Sequence, residues 1–164
     1  MTKQASIYPQ AHPMTEEEVA NFLAQPLIAK LCTHNVDGTI HIVPIWFKYR
    51  NGEILLGTQE ISRKVRNIKR NSQVSVLVDT TEPTLKGVIV YGKAEIVYED
   101  VIPKRITIFE KYLGSENAPG LAAKLASTWK PVVIRIKPDH ILSYDYSKGF
   151  GISASPDASR MTII

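Results

Sequence analysis

The chain has 164 residues, of which 44% are hydrophobic and 22% charged, and it carries a net charge of +4. This length fits one domain with its own core, and the composition is ordinary for a globular protein. No apolar run approaches the roughly 20 residues that cross a bilayer, and residues 1–13 lack the apolar region of a secretory signal. A cytoplasmic location is therefore expected.

Cysteine and histidine content limits the redox and metal chemistry. Cys32 is the only cysteine, so no intrachain disulfide can form. The histidines at positions 12, 34, 41 and 140 include no pair at the i, i+4 spacing of helical metal ligands. We therefore expect no metal site. The mild positive charge suits an anionic ligand at least as well as a nucleic acid.

The first part of the chain predicts an arm, a helix and a β meander. Residues 1–14 are predicted as a flexible arm. Thr15 and Glu18 have the spacing of a capping box, which predicts a helix that ends before Pro26. Three strands are predicted next, at residues 27–34, 39–49 and 53–58. Short strands joined by tight turns are the usual start of a sandwich or barrel.

The rest of the chain predicts helices inserted between further strands. Apolar residues recur at helical spacing in 61–70, and residues 100–129 predict two helical pieces broken near Gly114. Strands are predicted at residues 73–79, 86–98, 131–136 and 140–146. About seven strands with inserted helices predict a mainly β fold, a β-barrel with helical decoration. It would occupy residues 15–147 as one domain, followed by an irregular tail over 148–164.

The segment from Thr58 to Asn67 carries the sharpest chemical signal. A strand is predicted to end at Thr58 and a helix to begin near Ser62, where first-turn N–H groups and the helix dipole favour an anion. Arg63 and Lys64 fall in that turn, where helices more often place Asp or Glu. Because these two cations oppose the dipole, the segment predicts a phosphate site. A solvated basic face is the alternative.

Several motifs follow one another in order between residues 15 and 147. They are Val43-Pro44-Ile45-Trp46-Phe47, Gly57-Thr58, Ser62-Arg63-Lys64 with Asn67 and Asn71, Val74-Ser75-Val76-Leu77, Gly92-Lys93-Ala94-Glu95, and the run Val132–Pro138. Together they resemble the pyridoxamine 5′-phosphate oxidase-like superfamily, whose fold is the FMN-binding split β-barrel. The first motif is most similar to the branch of deazaflavin (coenzyme F420)-dependent reductases.

The resemblance implies a homodimer with two cofactors at its interface. Arg63 and Lys64, with Ser62 at the start of the helix, would hold the cofactor phosphate. Thr58 would contact the phosphate or the ribityl chain. Lys93, in the middle of a strand, would face either the cofactor or solvent.

The resemblance also gives the second strand a role at the flavin ring. The backbone of four residues would run along the isoalloxazine edge: Val43, Pro44, Ile45 and Trp46. Trp46 adds an aromatic surface, which ring stacking and core packing explain equally well. His41 stands where the oxidases carry a phosphate-binding Arg, and a solvent-facing strand histidine is the alternative.

Departures from the oxidase pattern narrow the expected function. Gly87 stands near the place of an oxidase Gln, and the end of the chain, Ser159–Ile164, lacks the Arg-x-His substrate clamp. Vitamin B6 synthesis is therefore not expected, and FMN and coenzyme F420 stay open as cofactors.

The resulting prediction is a flavin- or deazaflavin-dependent oxidoreductase that moves hydride to or from a small conjugated substrate. No residue stands out as a catalytic acid or base. One alternative is a non-catalytic carrier of flavin or haem. The other is a nucleic-acid binder that uses the basic residues of 61–70, although these lack interleaved aromatic residues.

Overall fold

The computed structural model describes residues 11–148 as three α-helices, seven strands and a short 3-10 helix at Tyr146–Lys148. In chain order these are α1 (Glu16–Ala24), β1 (Ala29–His34), β2 (Ile40–Ile45), β3 (Phe47–Arg50), β4 (Glu53–Gln59), α2 (Arg63–Arg70), β5 (Gln73–Thr80), β6 (Lys86–Val97), α3 (Val101–Thr128) and β7 (Pro131–Asp145). None of the described helices is long and apolar enough to cross a membrane. Of the predicted arm and tail, only residues 11–14 and 148 fall within the described part. Ala11 and Met14 are buried there, and His12 bridges to Asp145 of β7.

The seven strands form one antiparallel sheet in the order β2-β1-β5-β6-β7-β4-β3. Only Trp46 separates β2 from β3 in the chain, yet these strands lie at opposite ends of the sheet order. A single residue can join the two ends only if the sheet curls back on itself. The result is a half-barrel with inserted helices, which confirms the predicted fold class.

The prediction of one strand over residues 39–49 is wrong, because the chain changes partners at Trp46. Residues before it pair with β1, and residues after it pair with β4. The run is rich in β-branched and aromatic residues on both sides of the break. Strand propensity therefore continues through a bend that the sheet closure imposes.

The predicted split of the last strand is also wrong. β7 is continuous, and a β-bulge where it faces Tyr91 and Gly92 accommodates Pro138 and Asp139. A Cβ atom at Gly92 would clash with the carbonyl oxygen of Lys137. Because glycine has no Cβ, β7 can approach β6 at this point and continue past the proline.

The main core lies inside the half-barrel and includes residues from α1 and α2. As predicted, α1 begins with a capping box: the Glu18 N–H donates to Thr15 Oγ1 at 3.2 Å, and the Glu18 carboxylate accepts from the Thr15 N–H at 2.6 Å. Val65 and Ile68 of α2 are buried in the same core as the inward faces of the strands. This burial holds α2 against the sheet.

Helix α3 packs outside the half-barrel against β3, β4 and β7. As predicted, it has two pieces, which meet at Gly114 with φ 77° and ψ 166°. Helix α3 forms a second apolar cluster of the molecule, in which the buried residues are Ile108, Phe109, Ala118 and Ala122. The molecule thus has one apolar cluster inside the curled sheet and another beneath α3.

Candidate functional site

The candidate site begins where β4 ends and α2 starts. Ser62 is the N-cap of α2, but its side chain makes no capping hydrogen bond, and no acidic residue lies in the first turn. Thr58 is buried at the end of β4, with Oγ1 at 3.4 Å from Ser62 Oγ. The start of α2 therefore has the positive end of the helix dipole and no carboxylate to neutralise it.

Lys64 is the most informative residue in this turn. Its side chain is half-buried, and no hydrogen-bond acceptor or carboxylate pairs with its ammonium within residues 11–148. Burial lowers the pKa of Lys64 for this reason. An ammonium that is partly desolvated, unpaired and next to a helix N-terminus is destabilising unless an anion binds there.

Arg63 and His41 complete a cluster of nitrogen donors around Lys64. The pKa of His41 on β2 is lowered, first by burial and then by the charges of Arg63 and Lys64. This effect shows that the charges at the start of α2 reach the β2 histidine. Thr58, Ser62, Arg63 and Lys64 lie together at the β4–α2 junction, and the role of His41 stays a prediction.

Asn67 fixes the position of α2, and its structural role was not apparent from the sequence. Its side chain is 3% exposed, and Nδ2 donates to Thr33 Oγ1 and to Asn35 Oδ1, both at 3.0 Å. These bonds join α2 to the β1–β2 hairpin. The sequence signal for this role was the position of Asn67 beside the apolar face of a predicted helix, where a polar side chain needs a hydrogen-bond partner.

An open cleft of about 470 Å³ lies between α2 and this hairpin. Its lining residues are Asn35, Val36, Asp37, Arg63, Arg66, Asn67 and Arg70. The Asp37 carboxylate accepts hydrogen bonds from Thr39, which lower its pKa, and Arg63 contributes a smaller effect. The hairpin residues were not predicted as part of the site, because they approach α2 only through the tertiary fold.

β2 offers a ligand its backbone more than its side chains. Val43 and Ile45 pack against the main core, whereas Pro44 is exposed on the opposite face. β1 is the only partner of β2 in the described sheet, so the other edge of β2 keeps free N–H and C=O groups. The backbone role that the resemblance implies for these residues stays a prediction.

Trp46 lies against α3. Its indole stacks on the Tyr112 ring, with centroids 4.6 Å apart and planes at 5°, and Phe109 packs edge-on at 5.8 Å. The Tyr112 hydroxyl donates to the carbonyl of Leu27 at 2.8 Å and accepts from the N–H of Phe47 at 3.1 Å. These contacts favour the packing interpretation of Trp46, and stacking on a cofactor stays a prediction.

Lys93 is not joined to the other predicted residues. It is exposed on β6, paired with Gln73 of β5 and Lys137 of β7. No hydrogen bond or ion pair within residues 11–148 connects it to the start of α2. Within that range no group of three or more His, Cys, Asp or Glu could hold a metal ion either.

A curled seven-stranded sheet with a basic helix at the end of β4 defines a split-barrel protein. The family model for pyridoxamine 5′-phosphate oxidase matches residues 15–144, so the chain belongs to this family. The match confirms the resemblance inferred from the motifs. No curated protein matches the chain significantly.

Solved structures support the same fold. The conserved hypothetical protein Rv2991 from Mycobacterium tuberculosis is 30% identical, with a TM-score of 0.76 over 96% of this chain and 99% of that chain. An F420 reductase is 22% identical, with a TM-score of 0.62 over 77% of this chain and 98% of that chain. The haem storage protein HutZ from Vibrio cholerae is 18% identical, with a TM-score of 0.61 over 77% and 92%. These likenesses confirm the split barrel.

Proposed function

We propose that the chain binds a flavin-type cofactor by its phosphate at the start of α2 and acts as a flavin- or deazaflavin-dependent oxidoreductase. The observation that carries this proposal is the partly buried, unpaired ammonium of Lys64. Family membership and the similarity to an F420 reductase support the cofactor class. FMN is the first candidate, and coenzyme F420 is the alternative.

A phosphate group matches the donors at this site. The Lys64 ammonium and the Arg63 guanidinium would donate charge-assisted hydrogen bonds, and first-turn N–H groups of α2 would add neutral ones. His41 would donate as well once it takes up a proton. Burial lowers the pKa of His41, the charges of Arg63 and Lys64 lower it further, and an anion here would offset these charges.

The free edge of β2 would hold the ring system. N–H and C=O groups there match the donor and acceptor pattern of the pyrimidine end of a flavin, and Pro44 itself contributes no N–H donor. When bound, a flavin or deazaflavin supplies the hydride-transfer chemistry. The chain's residues supply binding and orientation, and we assign no side chain as an acid or base.

We also propose that a second copy of the chain covers the outer face of the sheet. Ile40 and Ile42 on β2 are 49% and 60% exposed. On the same face, Leu77 pairs with Ile89, and Ile89 pairs with Leu142, so a second apolar row crosses β5, β6 and β7. Lys30 of β1, ion-paired with Asp79, lies between this row and β2. Burial of the two apolar patches against a second copy would stabilise a homodimer beside the cofactor strand.

An absorbance spectrum of the purified protein, followed by titration with FMN and with coenzyme F420, tests the proposed function. A flavin band, or saturable binding of one cofactor, is expected. A featureless spectrum with no binding of either cofactor would contradict the proposal. Steady-state oxidation of NAD(P)H or of reduced F420 then separates an enzyme from a carrier, because a carrier binds without turnover.

The nucleic-acid alternative predicts a different pattern. Binding of a random oligonucleotide would weaken steeply with salt and would depend on Lys69 as well as on Lys64. Lys69 lies 3.6 Å from the carboxylate of Glu60, on a different side of α2. Cofactor binding is therefore expected to survive Lys69→Ala, which makes this variant a matched control.

A further inference from the structure

Arg105 is a buried charge in an apolar part of α3. Its side chain is 2% exposed, and Ile108 and Phe109 nearby are buried as well. Nε and Nη1 are enclosed and have no acceptor among residues 11–148, and burial lowers the pKa of Arg105. Arginine stays charged inside proteins, and buried donors nearly always have partners. The two enclosed nitrogens therefore require an explanation.

The fold makes room for this side chain but does not satisfy its donors. A Cβ atom built at Gly57 on β4 would lie 3.3 Å from both Cγ and Nε of Arg105. The Phe109 ring centroid lies 5.3 Å from Cζ, a cation–π contact that offsets part of the desolvation. Neither the space beside Gly57 nor the face of the Phe109 ring accepts a hydrogen bond in the plane of the guanidinium. Both features hold the arginine in position.

The remaining nitrogen, Nη2, is not among the enclosed atoms and makes no hydrogen bond within the described residues, so a ligand would make its first contact there. Both bidentate edges of a guanidinium include it, because Nη2 pairs with Nε on one edge and with Nη1 on the other. We propose that Arg105 binds an oxyanion, the carboxylate or phosphate group of a small solute, at the junction of α3 and β4.

This site is distinct from the one at the start of α2. Gly57 and Thr58 are consecutive in β4, so their Cβ directions point to opposite faces of the strand. Thr58 faces Ser62, whereas Gly57 faces Arg105. An oxyanion at Arg105 would thus lie on the other face of β4 from the proposed cofactor phosphate.

Melting temperatures of the Arg63→Ala/Lys64→Ala protein in sodium phosphate and in sodium chloride at equal ionic strength test this proposal. The double replacement removes the α2 site, so a remaining effect of phosphate reports on another site. We expect phosphate to raise the melting temperature saturably, by about 3–6 °C at ten times the dissociation constant. Adding Arg105→Met, which keeps an unbranched apolar side chain, is expected to abolish the rise.

No saturable rise in the double variant, or an equal rise after Arg105→Met, overturns the proposal. If the Arg105→Met protein does not fold, the Nε–H signal of Arg105 in the ¹⁵N-labelled double variant provides the second measurement. An enclosed Nε–H exchanges slowly, and phosphate is expected to shift its resonance saturably. An unmoved resonance overturns the proposal. Neither experiment uses a cofactor, so failure here leaves the proposed function to its own test.

Discussion

Lys64 and Lys69 lie about 1.4 turns apart in the same helix and have opposite surroundings. Lys69 is exposed, with Nζ 3.6 Å from the Glu60 carboxylate and 5.6 Å from the centroid of the Tyr98 ring. Lys64 is half-buried and has neither a carboxylate nor an aromatic ring beside it within the described residues. A partly buried charge without a partner destabilises the free protein, and residues of this kind are typical of ligand sites.

His41 makes the proposed site sensitive to pH. In the free protein its pKa is lowered, and a bound phosphate would raise it by offsetting Arg63 and Lys64. Binding then takes up a proton at His41, so the contribution of this histidine to cofactor affinity is expected to fall as pH rises from about 5.5 to 8. Dissociation constants of the wild-type protein and of His41→Gln across this range measure the effect.

The phosphate group itself titrates near pH 6, so the comparison between the two proteins isolates His41. The wild-type protein is expected to lose affinity relative to His41→Gln as pH rises. Identical slopes for the two proteins would remove His41 from the site.

At the scale of elements, short-range sequence patterns predicted the helices correctly, because contacts between neighbouring residues determine where these helices form. The capping box at Thr15 and the apolar spacing in residues 61–70 correspond to α1 and α2. The break at Trp46 and the bulge opposite Gly92 follow from sheet closure and strand approach, which depend on residues far away in sequence. Neighbouring residues alone therefore could not indicate where β2 ends or that β7 continues.

Lys111 joins α3 to α1 and gives this contact a dependence on pH. Its ammonium donates to the carbonyl of Leu23 at 2.7 Å and lies 3.4 Å from the centroid of the Phe47 ring. Burial, with a smaller effect from Lys48, lowers the pKa of Lys111 to about 7. The carbonyl and the ring face favour the ammonium, so they oppose part of this shift.

A lowered folded-state pKa means that the unfolded chain holds a proton between about pH 7 and 10 that the folded chain releases. Stability is therefore expected to rise with pH in this range, by about 1 kcal/mol after allowance for partial exposure. Lys111→Met removes the titrating group and is expected to reduce this gain. Melting temperatures at pH 7 and pH 9 check the effect, and equal gains in both proteins would contradict it.

At the scale of the whole molecule, the curl of the sheet brings the candidate site together. It sets the β1–β2 hairpin against α2, with Asn67 as the link. Arg63 and Lys64 were predictable because they conflict with a local rule for helix starts. The role of Asn67 and the burial of Arg105 were not, because both depend on which elements meet in three dimensions.

The proposed homodimer predicts the effect of a charge on the outer sheet face. Ile42 is 60% exposed, so Ile42→Glu should leave the fold of one subunit intact. A carboxylate buried at the interface would cost several kcal/mol, enough to separate the subunits at micromolar concentration. Sedimentation of the wild-type protein and the variant measures the mass.

We expect a dimer for the wild-type protein and a monomer for Ile42→Glu. Ala123→Glu, on an exposed part of α3, is the control and should stay dimeric. A wild-type monomer would rule out the proposed homodimer. A dimer that Ile42→Glu leaves intact would show that the interface lies elsewhere.

The most direct test of the central claim is the cofactor affinity of Lys64→Ala beside that of Lys69→Ala. Loss of a charge-assisted hydrogen bond to phosphate is expected to weaken binding by about 1.5–3 kcal/mol, roughly 10- to 150-fold in the dissociation constant. Lys69→Ala should bind as the wild-type protein does. Equal affinities for all three proteins would show that the start of α2 does not hold the cofactor phosphate.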